Sequence, residues 1–246
     1  MAAVEICLAS DSPIDLRQQV DKICQAGAAR IELCAQMDQA GLTPQPHAIA
    51  IARAVSKNCV ELLVMVRPRS GDFQYSQSEV RQMCEQIRSA ADNGANGIVI
   101  GAINAQGSDF DRPNMEELIV LAEQLGLTVG IHRAFDVITD RKAALKQLKE
   151  WQVKRVLTSG GKWGGNSKAT DNQHALAELI TFADDAVEVV IAGGINVSQI
   201  RQLNTTFAQT QGRYSYHAYS SVLSTSSATT NVIEPQKVRA LVEAAT

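Results

Sequence analysis

Eight short runs of β-branched and aliphatic residues recur about every 25 to 36 residues along the chain, and stretches with helical spacing of apolar positions lie between them. That interval is the length of one strand–helix unit. The expected strands are Val4–Leu8, Arg30–Cys34, Leu62–Val66, Gly97–Gly101, Thr128–His132, Arg155–Ser159, Val187–Ala192 and Tyr214–His217. No Pro/Gly/Ser-rich linker or charge block interrupts the series, so residues 1–246 read as one domain. Eight consecutive units of this kind predict an α/β fold, a single-domain TIM (β/α)8 barrel. The competing open doubly wound sheet usually has fewer units and a glycine fingerprint after its first strand. Here the first strand runs into Cys7-Leu8-Ala9-Ser10, without glycine.

Helix signals fall between the strands. Ser12, Pro13 and Asp15 read as an N-cap, a proline at the first helical position and an acid at the third, ahead of a Leu16, Val20, Ile23 stripe. Ser76 and Glu79 form a capping box before Val80, Met83, Cys84 and Ile87. Pro113 and Pro235 open two later helices, and Leu145, Leu176 and Ile200 mark the three between them. Gly27-Ala28 and Gly94-Ala95 return the chain to strands, with glycine in the left-handed position that follows a helix.

In such a barrel, chemistry collects where strands end and loops begin. Side chains two apart on a strand share a face, so Glu5 and Cys7 point one way, as do Glu32 and Cys34, while Ile6, Leu8, Ile31 and Leu33 point the other. The apolar set must face the helices. Both glutamates then lie inside the barrel, with both thiols nearer its mouth on adjacent strands, close enough for a soft-metal pair. By the same parity Val129 and Ile131 face outward and His132 inward. Buried carboxylates need partners, and Arg67 and Arg133 are the candidates. They can form a structural network or a substrate site. His132, Asp136 and Glu32 are candidates for moving protons; Arg67, Arg69, Arg133 and His217, with the backbone at Gly193 and Gly194 before an Asn196 cap, are candidates for binding an anion. His47 and His174 sit near helix starts and read as solvated. Cys24, Cys59 and Cys84 read as packing residues.

Composition narrows the classes. With 23 basic and 26 acidic residues the net charge is −3, which gives no general attraction to a polyanion, and aromatics are only 4%. Nucleic acid is not an expected partner. No window approaches a membrane span, and Met1 to Ser10 lacks the basic start of a secretory signal, so a cytoplasmic location is expected. Five cysteines without a CxxC spacing argue against a disulfide framework and a zinc ribbon. No nucleotide-cofactor motif is present: Gly160 to Ser167 has the glycines of a P-loop, but no lysine precedes Ser167. No lysine ends strand six either, which disfavours a Schiff-base aldolase.

Taken in order, Glu5-Ile6-Cys7, Arg30-Ile31-Glu32-Leu33-Cys34, Gly41-Leu42-Thr43-Pro44, Arg67-Pro68-Arg69 with Gly71-Asp72-Phe73, His132-Arg133-Ala134-Phe135-Asp136, Leu157-Thr158-Ser159-Gly160-Gly161 and Gly193-Gly194-Ile195 resemble the CutC copper homeostasis family. The resemblance implies a cytoplasmic TIM barrel linked to copper homeostasis, commonly a homo-oligomer such as a dimer or tetramer, with Cys7 and Cys34 at the positions of the Cu(I) ligands; by donor chemistry His132 or Met65 would complete the shell. Its partner would be a copper ion. The alternative is a barrel enzyme acting on a small anionic metabolite, phosphate- or carboxylate-bearing. Trp151, Trp163, Tyr214, Tyr216 and Tyr219 are candidate interface residues.

Overall fold

A computed structural model describes residues 2–11, 15–57, 59–224 and 232–246. Eight parallel strands close on themselves in chain order: β1 (Ala3–Ala9), β2 (Arg30–Cys34), β3 (Glu61–Met65), β4 (Gly97–Ile100), β5 (Thr128–Ile131), β6 (Arg155–Thr158), β7 (Glu188–Ile191) and β8 (Tyr214–Ala218), with β8 pairing β1. Each observed strand end lies within one residue of its sequence-based bound. A helix follows each strand: α1 (Leu16–Gln25), α2 (Pro46–Ser56), α3 (Gln77–Asp92), α4 (Arg112–Gln124), α5 (Arg141–Glu150), α6 (Gln173–Ala183), α7 (Val197–Phe207) and α8 (Pro235–Ala245). None of the described helices is long and apolar enough to cross a membrane.

The local signals explain most helix starts. The Ser76/Glu79 capping box is complete at α3, Pro235 is the first residue of α8, and Asn196 caps α7 by accepting from the Gln199 N–H at 3.0 Å. The start of α1 differs. Asp15, expected inside the helix, is its N-cap and accepts from the Arg17 N–H, while Ser12 and Pro13 lie outside the described residues. Gly27 and Gly94 take φ of 83° and 84°, the left-handed geometry their place after a helix demands.

Parity divides the barrel as the alternation predicts. Ile6, Leu8, Ile31 and Leu33 are buried in the core between strands and helices, against Val20, Ile23 and Ile49 among others, each such side chain contributing about 1.5–3 kcal/mol. The other face fills the barrel, and at its base it is polar. Arg30 donates from Nε to Glu5 at 3.0 Å, from Nη2 to Glu188 at 2.6 Å and from Nη2 to Ser215 at 2.7 Å. Across the barrel, Arg155 pairs with Glu61 at 2.7 Å and donates to Thr128 Oγ1 at 3.0 Å. Glycine makes room for these groups: a Cβ on Gly97 would stand 2.7 Å from the Thr128 carbonyl oxygen and 3.0 Å from Leu63 Cδ2. Gly97→Ala is therefore expected to lower stability by about 1–3 kcal/mol through overpacking, read as a lower urea midpoint with an unchanged slope.

Cys84 packs in the core, as expected, but Cys24 is only half-buried and Cys59, in the turn that leads into β3, is exposed. Tyr216 is fully buried, its hydroxyl donating to Asn204 Oδ1 at 2.6 Å, so it belongs to the core rather than to an outer surface. His47 and His174 are exposed, as expected.

Candidate functional site

At the carboxyl end of the barrel lies a cavity of about 250 Å³ whose walls come from most of the strand ends. The register of β1 against β2 sets its sulfur side. Cys7 is opposite Glu32 and Ala9 opposite Cys34, so the two cysteines are diagonal neighbours on the inward face. Their Sγ atoms are 3.8 Å apart and both are 1% exposed. The sulfurs are at van der Waals separation, well beyond the roughly 2.03–2.05 Å of an S–S bond, and both thiols are free. The pair is thus placed to share an ion or a proton more readily than a covalent bond.

Two methionines join them. Met65, at the end of β3, packs against both thiols, and Met37 brings its Sδ to 3.7 Å from Cys7 Sγ. Nothing in the periodic pattern points to Met37, because it sits in a short 3-10 turn, Met37–Gln39, outside any strand. That turn is held in place at some cost. Gln36 and Ala40, which flank it, have φ of 49° and 62°, a left-handed geometry costing non-glycine residues about 1–3 kcal/mol each. The restraint comes from the Ala35–Leu42 bridge, from Asp11 accepting the Gln36 N–H at 2.9 Å, and from Arg67, whose Nη1 donates to the carbonyls of Gln39 at 2.8 Å and Gly41 at 3.1 Å.

Behind the sulfurs lies a charged relay. His217 on β8 places Nδ1 2.8 Å from Glu5 Oε1 and Nε2 3.6 Å from Glu32 Oε2. Burial works against a charged His217, but Glu32, Cys7 and Glu5 outweigh it and hold the imidazole well above its usual range. Burial would also raise Glu5; the hydrogen bond and charge of His217, with Arg30, bring it down to about 2 instead. Glu32 has less compensation, and burial pushes it up to about 8. The thiols split in the same way. A hydrogen bond from Cys34 brings Cys7 down to about 6 against the opposing effect of burial, with His217 adding to the fall, while Cys34 is raised well above the thiol range. Sharing a hydrogen bond, the pair loses its first proton more easily than a lone buried thiol and its second with more difficulty.

The β5 side is different in character. His132, 2% exposed, caps the short turn Arg133–Val137 by accepting the Ala134 N–H at Nδ1, 3.1 Å, which leaves its Nε2 as the protonated nitrogen. Burial, aided by the charge of Arg67, pushes His132 down to about 3, so the folded ring is neutral. Its free-energy consequence has a definite sign. Below the unfolded value near 6.5 the unfolded chain takes up a proton that the folded chain refuses, so this stability is lost as pH falls from about 6.5 towards 3. Denaturant titrations of His132→Phe beside the wild type should show the wild type losing ground by about 1.4 kcal/mol per pH unit between pH 6 and 4; a constant difference would contradict a neutral His132.

Of the residues singled out from sequence, Cys7, Cys34, Glu32, His132, Arg67, Arg133, Gly193, Gly194 and His217 all line this one cavity. Two do not. Arg69 turns outward to Glu79 and Asp72 and lies over the Tyr75 ring, because the β3–α3 loop carries it past the strand end. Asp136 is buried and wholly engaged, accepting from Arg133, Thr158 and Ser159, which suits a structural brace rather than a proton carrier. The expected pairing of the glutamates with Arg67 and Arg133 is also corrected. Arg30 and His217 are the partners of Glu5, and His217 approaches Glu32. Arg67 binds loop carbonyls, and Arg133 binds Asp136 and Ser159. Trp163, considered for an interface, instead lines the cavity, with Phe73 at 5.1 Å and the Arg133 guanidinium over its ring at 5.5 Å.

Comparison with known proteins places these features in context. A family profile described as CutC family matches residues 2–218. Among curated relatives, a family protein CutC from Pasteurella multocida is 37% identical over 193 residues, covering 78% of this chain and 73% of that protein. Another from Mesorhizobium japonicum is 38% identical over 178 residues, covering 72% and 66%. Among solved structures, a CutC from Streptococcus agalactiae, a protein named for copper homeostasis, superposes with a TM-score of 0.77 at 25% identity, over 88% of this chain and 98% of that one.

Proposed function

The chain belongs to the CutC family, and from that premise we propose that it takes part in copper homeostasis by holding Cu(I) between Cys7 and Cys34 at the barrel mouth. The observation that carries this reading is the convergence of three sulfur atoms, the two thiols 3.8 Å apart and the Met37 thioether 3.7 Å from Cys7, with the Met65 side chain packed against the pair. Thiolate and thioether are the soft donors that select Cu(I), and thioethers add little for a harder ion. Glu32 also comes within reach of both thiols, the three ligand atoms lying within 4.8 Å of one another. Its oxygens are hard donors, which leaves the sulfurs as the better match for Cu(I). Binding takes both cysteines as thiolates and releases the proton or protons that the pair holds.

Copper is cargo in this reading, and the chain supplies a site that excludes water and oxidants from it. A Cu(I) competition titration against a chromogenic chelator tests the proposal: wild type should take the ion one to one, and Cys7→Ser/Cys34→Ser should not compete. Equal affinity in the double variant would overturn it. Titration with Zn(II) should give weak binding that Met37→Leu leaves unchanged, whereas the same substitution should weaken Cu(I).

A further inference from the structure

The geometry points to a second binding function in the same cavity: the side built by Arg67, His132, Arg133 and the Gly193–Gly194 turn receives a small organic oxyanion, a carboxylate or a phosphate monoester. It does not rest on the copper reading, which concerns the β1–β2 side.

Three observations carry it. Arg67 is 2% exposed, and all its hydrogen bonds go to neutral carbonyl oxygens, those of Gln39, Ala40, Gly41 and Gly71. These dipoles occupy its N–H groups without cancelling its charge, and its Nε has no partner among the described residues. A buried cation without a carboxylate is costly unless something anionic completes it. The second is His132. Its Nδ1 is used by the Ala134 N–H, so Nε2 carries the proton, and that buried donor has no acceptor among the described residues. Left unmet, it carries the full desolvation penalty of a buried donor. The third is Arg133, the least buried of the three, whose guanidinium is fixed by Asp136, by Ser159 Oγ at 2.9 Å and by stacking on Trp163, while its Nη1 makes no hydrogen bond among the described residues.

The backbone opposite offers the same polarity. Gly193 and Gly194 have φ of 106° and 76°, which side-chain-bearing residues rarely adopt, and a Cβ on Gly193 would stand 3.0 Å from Ser159 Cβ. They lead directly into the Asn196 cap of the 11-residue helix α7, whose amino end favours negative charge. Donors outnumber acceptors on this side. Phe73 lies 5.0 Å from the His132 ring and 5.0 Å from the Arg67 guanidinium carbon, giving an apolar surface for the carbon part of a ligand. A cavity of about 250 Å³, below the about 300–1,000 Å³ of drug-sized sites, limits that part to a few carbons.

Isothermal calorimetry on the full chain, with 2-phosphoglycolate and glycolate as probes and chloride at equal ionic strength as reference, tests the inference. Wild type and Cys7→Ser/Cys34→Ser should bind alike, and the dissociation constant should rise at least tenfold in Arg133→Gln and in His132→Phe, each checked for a native circular dichroism spectrum. Binding of phosphoglycolate alone assigns the cradle to a phosphate; equal binding of glycolate assigns it to a carboxylate. Heats no larger than those of chloride overturn it. So does affinity that survives both variants, or that vanishes only when the cysteines are replaced.

Discussion

Arg30→Met should destabilise the chain by about 3–5 kcal/mol, the cost of removing one partner from a buried ion pair and leaving the other uncompensated. Arg30 is 7% exposed and Glu5 3%, and the guanidinium is shared between Glu5, Glu188 and Ser215, so no water can take its place without reopening the base of the barrel. Most of the loss is the exposed penalty of carboxylates left in a poorly solvated site. Adding Glu5→Gln and Glu188→Gln to Arg30→Met should therefore recover part of it, because replacing buried charges together is often neutral, with the remainder set by His217 losing the Glu5 carboxylate. Urea unfolding at pH 7 reads both effects. A triple variant less stable than Arg30→Met would show that the ion network contributes net stability rather than filling the barrel specifically.

The second large effect separates the two cysteines. Cys7→Ser and Cys34→Ser should each weaken Cu(I) binding by more than about 100-fold, above the 10–100-fold typical of losing an outer-shell partner. Their apo chemistry should differ. In Cys34→Ser a hydroxyl can still donate to Cys7, and His217 still faces it, so Cys7 stays a reactive thiolate near neutral pH. In Cys7→Ser the hydrogen bond and charge of Cys7 that raise Cys34 most are gone, and burial with Glu32 alone holds it up, so Cys34 should label with a small alkylating reagent at lower pH than in the wild type yet at higher pH than Cys7 does in Cys34→Ser. Rates of iodoacetamide labelling against pH, followed by mass spectrometry, distinguish the two. Equal profiles would mean that the pair does not share its proton as described.

Most of the architecture was legible because a barrel repeats one unit eight times, and each repeat carries its own strand, cap and turn signals. Parity alone put Glu5, Glu32, Cys7 and Cys34 on the inward face, since their neighbours Ile6, Leu8, Ile31 and Leu33 had to meet helices. The same rule could have found Arg30, which shares its face with Glu32 and stands opposite Glu5 in the register. Arg30 begins its strand, at the base of the barrel where a structural pair sits, and not at a carboxyl end where chemistry collects. Other features left no periodic trace. Arg69 and Asp136 lie in loops, where direction depends on the turn taken and not on alternation. Met37 is brought to Cys7 by a turn with left-handed Gln36 and Ala40, a conformation neither residue type announces. Arg67 illustrates a mixture: its inward direction follows from β3, but its clamp on the Gln39–Gly41 carbonyls depends on a loop from the neighbouring unit.

Copper K-edge X-ray absorption of the loaded protein reads the donor atoms at the barrel mouth. The spectrum should show Cu(I) in an all-sulfur shell of low coordination number, with two thiolate contacts that disappear together in Cys7→Ser/Cys34→Ser and a thioether contribution that falls in Met37→Leu. A shell dominated by nitrogen or oxygen donors, or one unchanged by loss of both cysteines, would contradict a sulfur site for Cu(I).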